Sequence, residues 1–218
     1  MDAGAPGDVH VVVFDINVFL DAARLLGPPL TWDEFSAAVA KCANDPHPHP
    51  TDKRIDSLRA LAMCTSGRFA GGDLLQVWTS GHIVGLAVEK AVQPVDGATD
   101  EQRGLGWSAQ DADALQDFID DLTFIKSRGG SIAVKTAEGS PPLSYEDGLV
   151  YRTAREAGDP TNIRYCVTRD VEFRELAAEI MDDITVLYPW EWVDVLRKSR
   201  ALVATQAMRP RPPFTGTA

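Results

Sequence analysis

The chain has 218 residues, 44% of them hydrophobic and 24% charged, and a formal net charge of −11. That length suits one α/β domain with insertions, and the composition is that of a soluble globular protein able to bury a sizeable core. So acidic a chain does not attract nucleic acid over its whole surface, which counts against a general nucleic-acid-binding module. It leaves room for an enzyme holding a metal in an acidic pocket behind a local basic rim, and for a basic partner.

Residues 1–8 are small, polar and Gly/Pro-bearing. Residues 9–14 read as a buried strand: short, β-branched and nearly all apolar. Asp15 stops this run, which is far too short for a membrane span or a signal-peptide core, so a cytoplasmic protein with no membrane segment is expected. Residues 18–26 read as a helix, stopped by Gly27-Pro28-Pro29. Thr31 and Glu34 have capping-box spacing at the start of a helix running to about Lys41. Residues 43–53 form a Pro-rich loop, in which His47 and His49 resemble a metal motif only superficially, because the flanking prolines fix no ligand geometry. A short helix is expected over 55–63, and a break over 67–72.

The second strand is 74–78, followed by Thr79-Ser80-Gly81 and a largely apolar helix over 82–92. Residues 94–106 make an acidic loop. Residues 108–125 give the clearest amphipathic helix, with Leu115, Phe118, Ile119 and Leu122 on one face and a solvated acidic run on the other. A short third strand is expected at 132–134, a helix at 145–157, strands at 164–168 and 184–187, and helices at 171–181 and 190–198, the last with Pro189 in its first turn. The domain is thus expected over 9–198, with insertions at about 41–72 and 94–107 and a disordered tail over 199–218. Cys42, Cys64 and Cys166 form no C-x-x-C pair and read as isolated thiols in a reducing compartment.

Strands alternating with helices imply a parallel sheet covered on both faces, with its site beyond the carboxyl ends of the strands. Asp15 follows the first strand directly, and Asp170 follows the 164–168 strand with one residue between. Asp147 lies in the first turn of the helix feeding that strand, and Glu172 two residues past Asp170. Each has a structural reading: Asp15, Asn17 or Asp170 as helix caps, Glu146 or Asp147 as charges favoured at a helix N-terminus. Together they suggest more. Independent caps need not converge, whereas carboxylates brought together by adjacent parallel strands repel unless a cation sits among them. Oxygen ligands favour Mg²⁺ or Mn²⁺, which activate water and stabilise phosphate charge.

Four segments, in order, resemble the PIN-domain family: VVVFDINVFLD (11–21), YEDGLV (145–150), VTRDVEF (167–173) and ITVLYPWEW (184–192). The resemblance covers about residues 9–197. It implies an α/β, three-layer α/β/α domain with a central, mainly parallel sheet, and the activity of a metal-dependent ribonuclease. Many bacterial members are VapC-type toxins, so an RNA substrate, a protein antitoxin and a homodimer are the implied partners. Carried over residue by residue, Asp15, Asp147 and Asp170 are metal ligands for Mg²⁺ or Mn²⁺. Asn17 orients Asp15 or binds the metal's water, and Glu172 stands for the family's fourth acid. Ser80 or Thr79 is placed to hydrogen-bond Asp15 or substrate, or to cap the next helix. Most active members carry a further acid in the helix after the second strand, at a place that falls near Leu86 here. The nearest carboxylate is Glu89, and residues three apart share a helix face.

The missing acid motivates a second reading, a PIN-like fold kept for partner binding, with Arg24, Arg59, Arg68, Arg152, Arg155, Arg169 and Arg174 as a rim for phosphates or as ordinary salt-bridge residues. Asp56-Ser-Leu-Arg59 is expected to fold back toward the site. A third reading resembles haloacid-dehalogenase-type phosphatases. There Asp15 is the nucleophile, Thr79 or Ser80 the phosphate-binding hydroxyl, Lys126 or Lys135 the lysine, and Asp182-Asp183 the metal acids. Asn17 then stands where the general acid should be and cannot donate a proton in that way.

Overall fold

A computed structural model of the chain describes residues 7–43, 52–96, 103–180 and 183–208. His47, His49 and Asp182 lie outside the described residues. Five strands, β1 (Val9–Phe14), β2 (Leu74–Ser80), β3 (Gly130–Ile132), β4 (Ile163–Val167) and β5 (Ile184–Leu187), form one all-parallel sheet in the order β3-β2-β1-β4-β5. The helices flank this sheet in a three-layer α/β/α arrangement, as the alternation in the sequence predicts.

β1 takes the centre because Val11, Val12, Val13 and Phe14 are fully buried, and a strand covered on both faces reads as a continuous apolar run. The edge strands β3 and β5 are the two shortest, which limits the unpaired backbone they expose. Helix α1 (Ile16–Leu26) leaves β1 directly and packs on α3 (Arg54–Cys64), which packs on α8 (Pro189–Ala207). Helix α2 (Trp32–Ala43) opens on the expected capping box, with Thr31 Oγ1 accepting from the Glu34 N–H at 3.3 Å. Helices α4 (Gly81–Val92) and α5 (Ala109–Asp120) pack together, and α6 (Tyr145–Glu156) lies across β1, β2 and β4. Helix α7 (Val171–Ala177) joins β4 to β5.

Several boundaries differ from expectation; the helix expected over 171–181 ends at Ala177, the second strand runs on to Ser80 and the first helix starts at Ile16. The amphipathic helix over 108–125 ends its α-form at Asp120 and continues as one π-helical turn, Asp121–Lys126. That turn brings Ser127 under β2, where its hydroxyl accepts the Val77 N–H at 2.9 Å, a pull that periodicity does not encode. The last helix runs to Ala207, so residues 199–207 are ordered rather than a loose tail. Arg200 anchors this extension by donating to the carbonyls of Met63, Arg68 and Phe69. The third strand lies two residues earlier than expected, at Gly130, packed against Trp78. The three cysteines are free. Among the described residues no helix is long and apolar enough to cross a membrane.

The order β3-β2-β1-β4-β5 has one topological switch point. From β1 the chain builds outward to β2 and β3, then returns to the other side of β1 to place β4 and β5. Ligand sites of open α/β sheets lie in the crevice beyond the carboxyl ends of the strands at that point, here between β1 and β4.

Candidate metal centre

Asp15 and Asp170 flank that crevice. The Asp15 N–H donates to the Val167 carbonyl at 2.9 Å, extending the β1–β4 ladder by one residue, so its side chain emerges at a fixed position. It is only 6% exposed. Its Oδ1 accepts from the Ile16 N–H at 2.7 Å and caps α1. Its Oδ2 accepts from Asn17 Nδ2 at 2.6 Å and from the Thr168 hydroxyl at 2.7 Å. Asp170 caps α7, with its Oδ1 accepting from the Phe173 N–H at 3.0 Å. Asp147 accepts from the Ser144 hydroxyl at 2.6 Å, while Ser144 accepts the Asp147 N–H at 3.1 Å and so caps α6. Gly148 lets the chain at Glu138 press against this helix start, because a Cβ there would stand 2.8 Å from the Glu138 carbonyl oxygen.

The capping roles are therefore real, and they also build a cluster. The N-termini of α1, α6 and α7 meet at one cleft of about 750 Å³, lined by Asp15, Asp147 and Asp170 together. Burial pushes the Asp15 carboxyl up to about 6; the Thr168 and Ile16 hydrogen bonds oppose the rise, and the charges of Asp147 and Asp170 add to it. Burial likewise raises Asp147, with Ser144 opposing and Asp170, Glu146 and Glu172 adding. These acids thus sense one another, and among the described residues none of the three has a cationic partner.

Asn17 holds the centre together. Its amide donates to Asp15 and, at 3.1 Å, to Thr168 Oγ1, while its Oδ1 accepts the Arg169 N–H at 3.0 Å. Thr168, fully buried, also accepts the Asp170 N–H at 2.9 Å. This lock needs an amide at 17. Asn17→Asp removes both donations and sets a second carboxylate against Asp15 Oδ2. It is expected to lower the unfolding free energy at pH 7 by about 2–3 kcal/mol, the cost of unmet buried groups and a like-charge contact, and by much less at pH 4, where the added carboxyl is protonated. Denaturant unfolding at the two pH values measures this, and equal midpoints for variant and wild type at pH 7 would refute the lock.

Two expected ligands lie elsewhere. Glu172 is exposed on α7 and does not line the cleft, because α7 turns the adjacent Phe173 into the core. Glu89 is exposed and accepts from Gln93 Nε2 at 3.0 Å. The face of α4 that meets the cleft is His82, Leu86 and Lys90, spaced by four, and Glu89 belongs to the neighbouring stripe. Leu86 itself lines the cleft at the place where the resemblance implies an acid. Ser80 caps α4 and accepts from Thr153, and the hydroxyl on Asp15 is that of Thr168, not of Thr79 or Ser80.

The structure also gives the cleft residues to which the sequence assigned no place in the site. Glu146 lines the cleft beside Asp147. The insertion folds back as expected, but with Asp52, Lys53 and Arg54 on the cleft, where Arg54 pairs with Asp52 at 2.6 Å. Asp21, 5% exposed, accepts from Ser57 at 2.7 Å and from Arg169 at 2.5 Å, tying α1, α3 and the Asp170 loop together. Spacing offered one signal for Asp21, which lies one turn beyond Asn17 on the same helix. The basic rim is Arg24, Lys53, Arg54, Lys90 and Arg169. Of the arginines considered from sequence, Arg152, Arg155 and Arg174 instead pair with Glu156, Glu138 and Glu191, away from the cleft.

The donors at the cleft are carboxylate oxygens, the ligand type that Mg²⁺ and Mn²⁺ favour. Among the described residues no three carboxylate, imidazole or thiol groups form a ready-made ligand cage. Mg²⁺ does not require one: it dehydrates reluctantly, keeps several waters and is commonly held by one or two carboxylates. A buried carboxylate whose charge is costly, with two more acids at the same cleft, fits such a hydrated ion in donor type and charge. No family model matches this chain, no curated protein matches it, and no solved structure matches it.

Proposed function

We propose that the protein is a metal-dependent ribonuclease of the PIN type that hydrolyses RNA phosphodiester bonds. The observation that carries this reading is the convergence of Asp15, Asp147 and Asp170 at the switch point of the sheet, ringed by Arg24, Lys53, Arg54, Lys90 and Arg169. An acidic centre suits a divalent cation, and a basic rim suits the phosphates on either side of the one being attacked. In a chain of net charge −11, five cations stand beside the six carboxylates of the cleft, Asp15, Asp21, Asp52, Glu146, Asp147 and Asp170, so phosphate meets a site close to charge balance.

A bound Mg²⁺ or Mn²⁺ would supply a polarised phosphate oxygen and a water of lowered pKa. Asp15, Asp147 and Asp170 would hold it. Asn17 and Thr168 fix the rotamer of Asp15, so little reorganisation is left for the reaction. Lys53 and Lys90 make no ion pair among the described residues and are placed to bind phosphate oxygens. The reading extends to a toxin held in check by an antitoxin protein, which the resemblance alone supports.

The phosphatase alternative finds less support. Lys126 stacks over Trp32, and neither it nor Lys135 lines the cleft. Asn17 is committed to Asp15, Thr168 and Arg169. A binding role for a metal-free fold is favoured by one observation, Leu86 at the place of an acid. Cleavage of a labelled RNA panel with Mg²⁺, with Mn²⁺ and with chelator, beside a generic phosphomonoester, separates the three. Cutting that requires the metal, with no phosphomonoester turnover, is the expected result. Turnover of the monoester alone would favour the phosphatase, and inertness of the folded protein toward both would favour the binding role.

A further inference from the structure

A second groove of about 650 Å³ adjoins the acidic cleft, between α3 and the start of α8. Lys53 and Arg169 line both, so they stand where the two meet. The second groove differs in chemistry. Four cations line it, Lys53, Arg59, Arg169 and Arg197, against two acids, Asp56 and Asp194. Both acids are engaged, Asp56 4.0 Å from Arg59 and Asp194 3.4 Å from Lys198. Arg197 is exposed and makes no ion pair among the described residues.

Its walls are apolar and aromatic. Val171 is 55% exposed and Trp190 53% exposed, both on the wall of the groove. Arg174 covers the Tyr188 ring, 4.5 Å from its centroid. No ring or cation stacks on Trp190 among the described residues, so its indole face is open. An open aromatic platform inside a cationic groove is the arrangement that binds single-stranded nucleic acid, with bases on the ring and phosphates on the cations. A duplex keeps its bases stacked on one another and cannot use the platform.

We propose that this groove is a nucleotide-stacking subsite. It takes an unpaired base of a nucleic-acid strand on Trp190, while Lys53 and Arg169 hold the phosphate between that base and the carboxylate cleft. This rests on the ribonuclease reading for its direction toward the cleft, but its binding chemistry needs no catalysis. It gives the acidic protein a local reason to prefer looped or unpaired segments over helical ones.

The test is equilibrium binding of the full chain, in chelator so that nothing is cut, to a labelled single-stranded oligoribonucleotide. The DNA strand of the same sequence and the RNA duplex serve as comparison arms. Trp190→Ala is expected to weaken single-strand binding at least about tenfold, equivalent to about 1.4 kcal/mol, with Trp190→Phe restoring most of it. Quenching of tryptophan fluorescence by the strand should shrink in Trp190→Phe. Arg197→Ala should reduce the salt dependence of binding by about one phosphate contact. A preference for RNA over DNA would assign the strand to RNA, and equal binding would assign the subsite to unpaired strands of either kind. Equal affinity for strand and duplex, or wild-type affinity in both Trp190→Ala and Arg197→Ala, would overturn the subsite. So would a change in self-association as the sole effect of Trp190→Ala, which would mark the groove as a contact between copies. Strand binding that depends on Trp190 without metal-dependent cutting would keep the subsite and remove the nuclease. Cutting with an unaltered KM in Trp190→Ala would do the reverse.

Discussion

Asp15→Asn and Asp170→Asn are each expected to lower metal-dependent RNA cleavage by more than about 100-fold. Even outer partners of a metal ligand cost 10–100-fold when removed, and these two carboxylates are proposed to meet the metal itself. The substitutions keep size and differ in what else they disturb. Asp15 accepts from three donors, Ile16 N–H, Asn17 Nδ2 and the Thr168 hydroxyl, and an amide offers one acceptor oxygen and two hydrogens that oppose the rest. Asp170→Asn keeps a cap for α7, since asparagine caps nearly as well as aspartate. Asp170→Asn is therefore the cleaner test of chemistry. Glu89→Gln should leave cleavage unchanged, because Glu89 faces away from the cleft. A rate is to be measured for each variant with Mn²⁺ in saturating excess, beside its unfolding midpoint. Full activity in a folded Asp170→Asn protein would remove the proposed centre.

The second large effect concerns stability against pH. The Asp15 carboxyl rises from its ordinary 3.8 to about 6 in the folded protein, chiefly through burial. Below 3.8 it is protonated whether folded or unfolded and costs nothing. Between 3.8 and about 6 the unfolded chain releases the proton and the folded protein keeps it, so stability falls as pH rises. Above 6 the penalty is complete. Two pH units correspond to about 3 kcal/mol, an upper bound for a group among coupled acids. Asp147, also raised by burial, adds in the same direction. Asp52 and Asp159 are held low by hydrogen bonds from Arg54 and Thr161 and act oppositely, so total stability is a poor readout. The stability difference between wild type and Asp15→Asn isolates the effect and should move by about 2–3 kcal/mol in favour of the variant from pH 4 to pH 7. Mg²⁺ or Mn²⁺ should stabilise the wild type at pH 7, where the carboxylates are charged, and have little effect at pH 4.5. A difference that is flat with pH, with no stabilisation by either metal, would mean that Asp15 carries neither the buried charge nor the ion.

The sequence by itself determined the features that depend on near neighbours in the chain. An unbroken apolar run made β1 the central strand, and alternating strands and helices made the sheet parallel. Asp15, Asp170 and the Ser144–Asp147 pair were legible as helix starts, because a cap is closed within three or four residues. That these starts meet at one crevice follows from the strand order, which sets β4 beside β1. Tertiary packing decided the rest. Whether Glu89 or Leu86 meets the cleft depends on the rotation of α4 about its axis, fixed by its contacts with α1 and α5. Phe173 sets the phase of α7 and turns Glu172 outward. The path of the first insertion brings Lys53 and Arg54 to a cleft far from them in sequence, and Ser57 and Arg169 to Asp21. Thr168 was ordinary as a residue and became the hub of the site only when β4 paired with β1. Such contacts join residues far apart in the chain, Asp21 with Ser57 and Arg169 and Asp15 with Thr168 among them. Their geometry follows from how the layers settle on the sheet, and no local pattern in the chain encodes it.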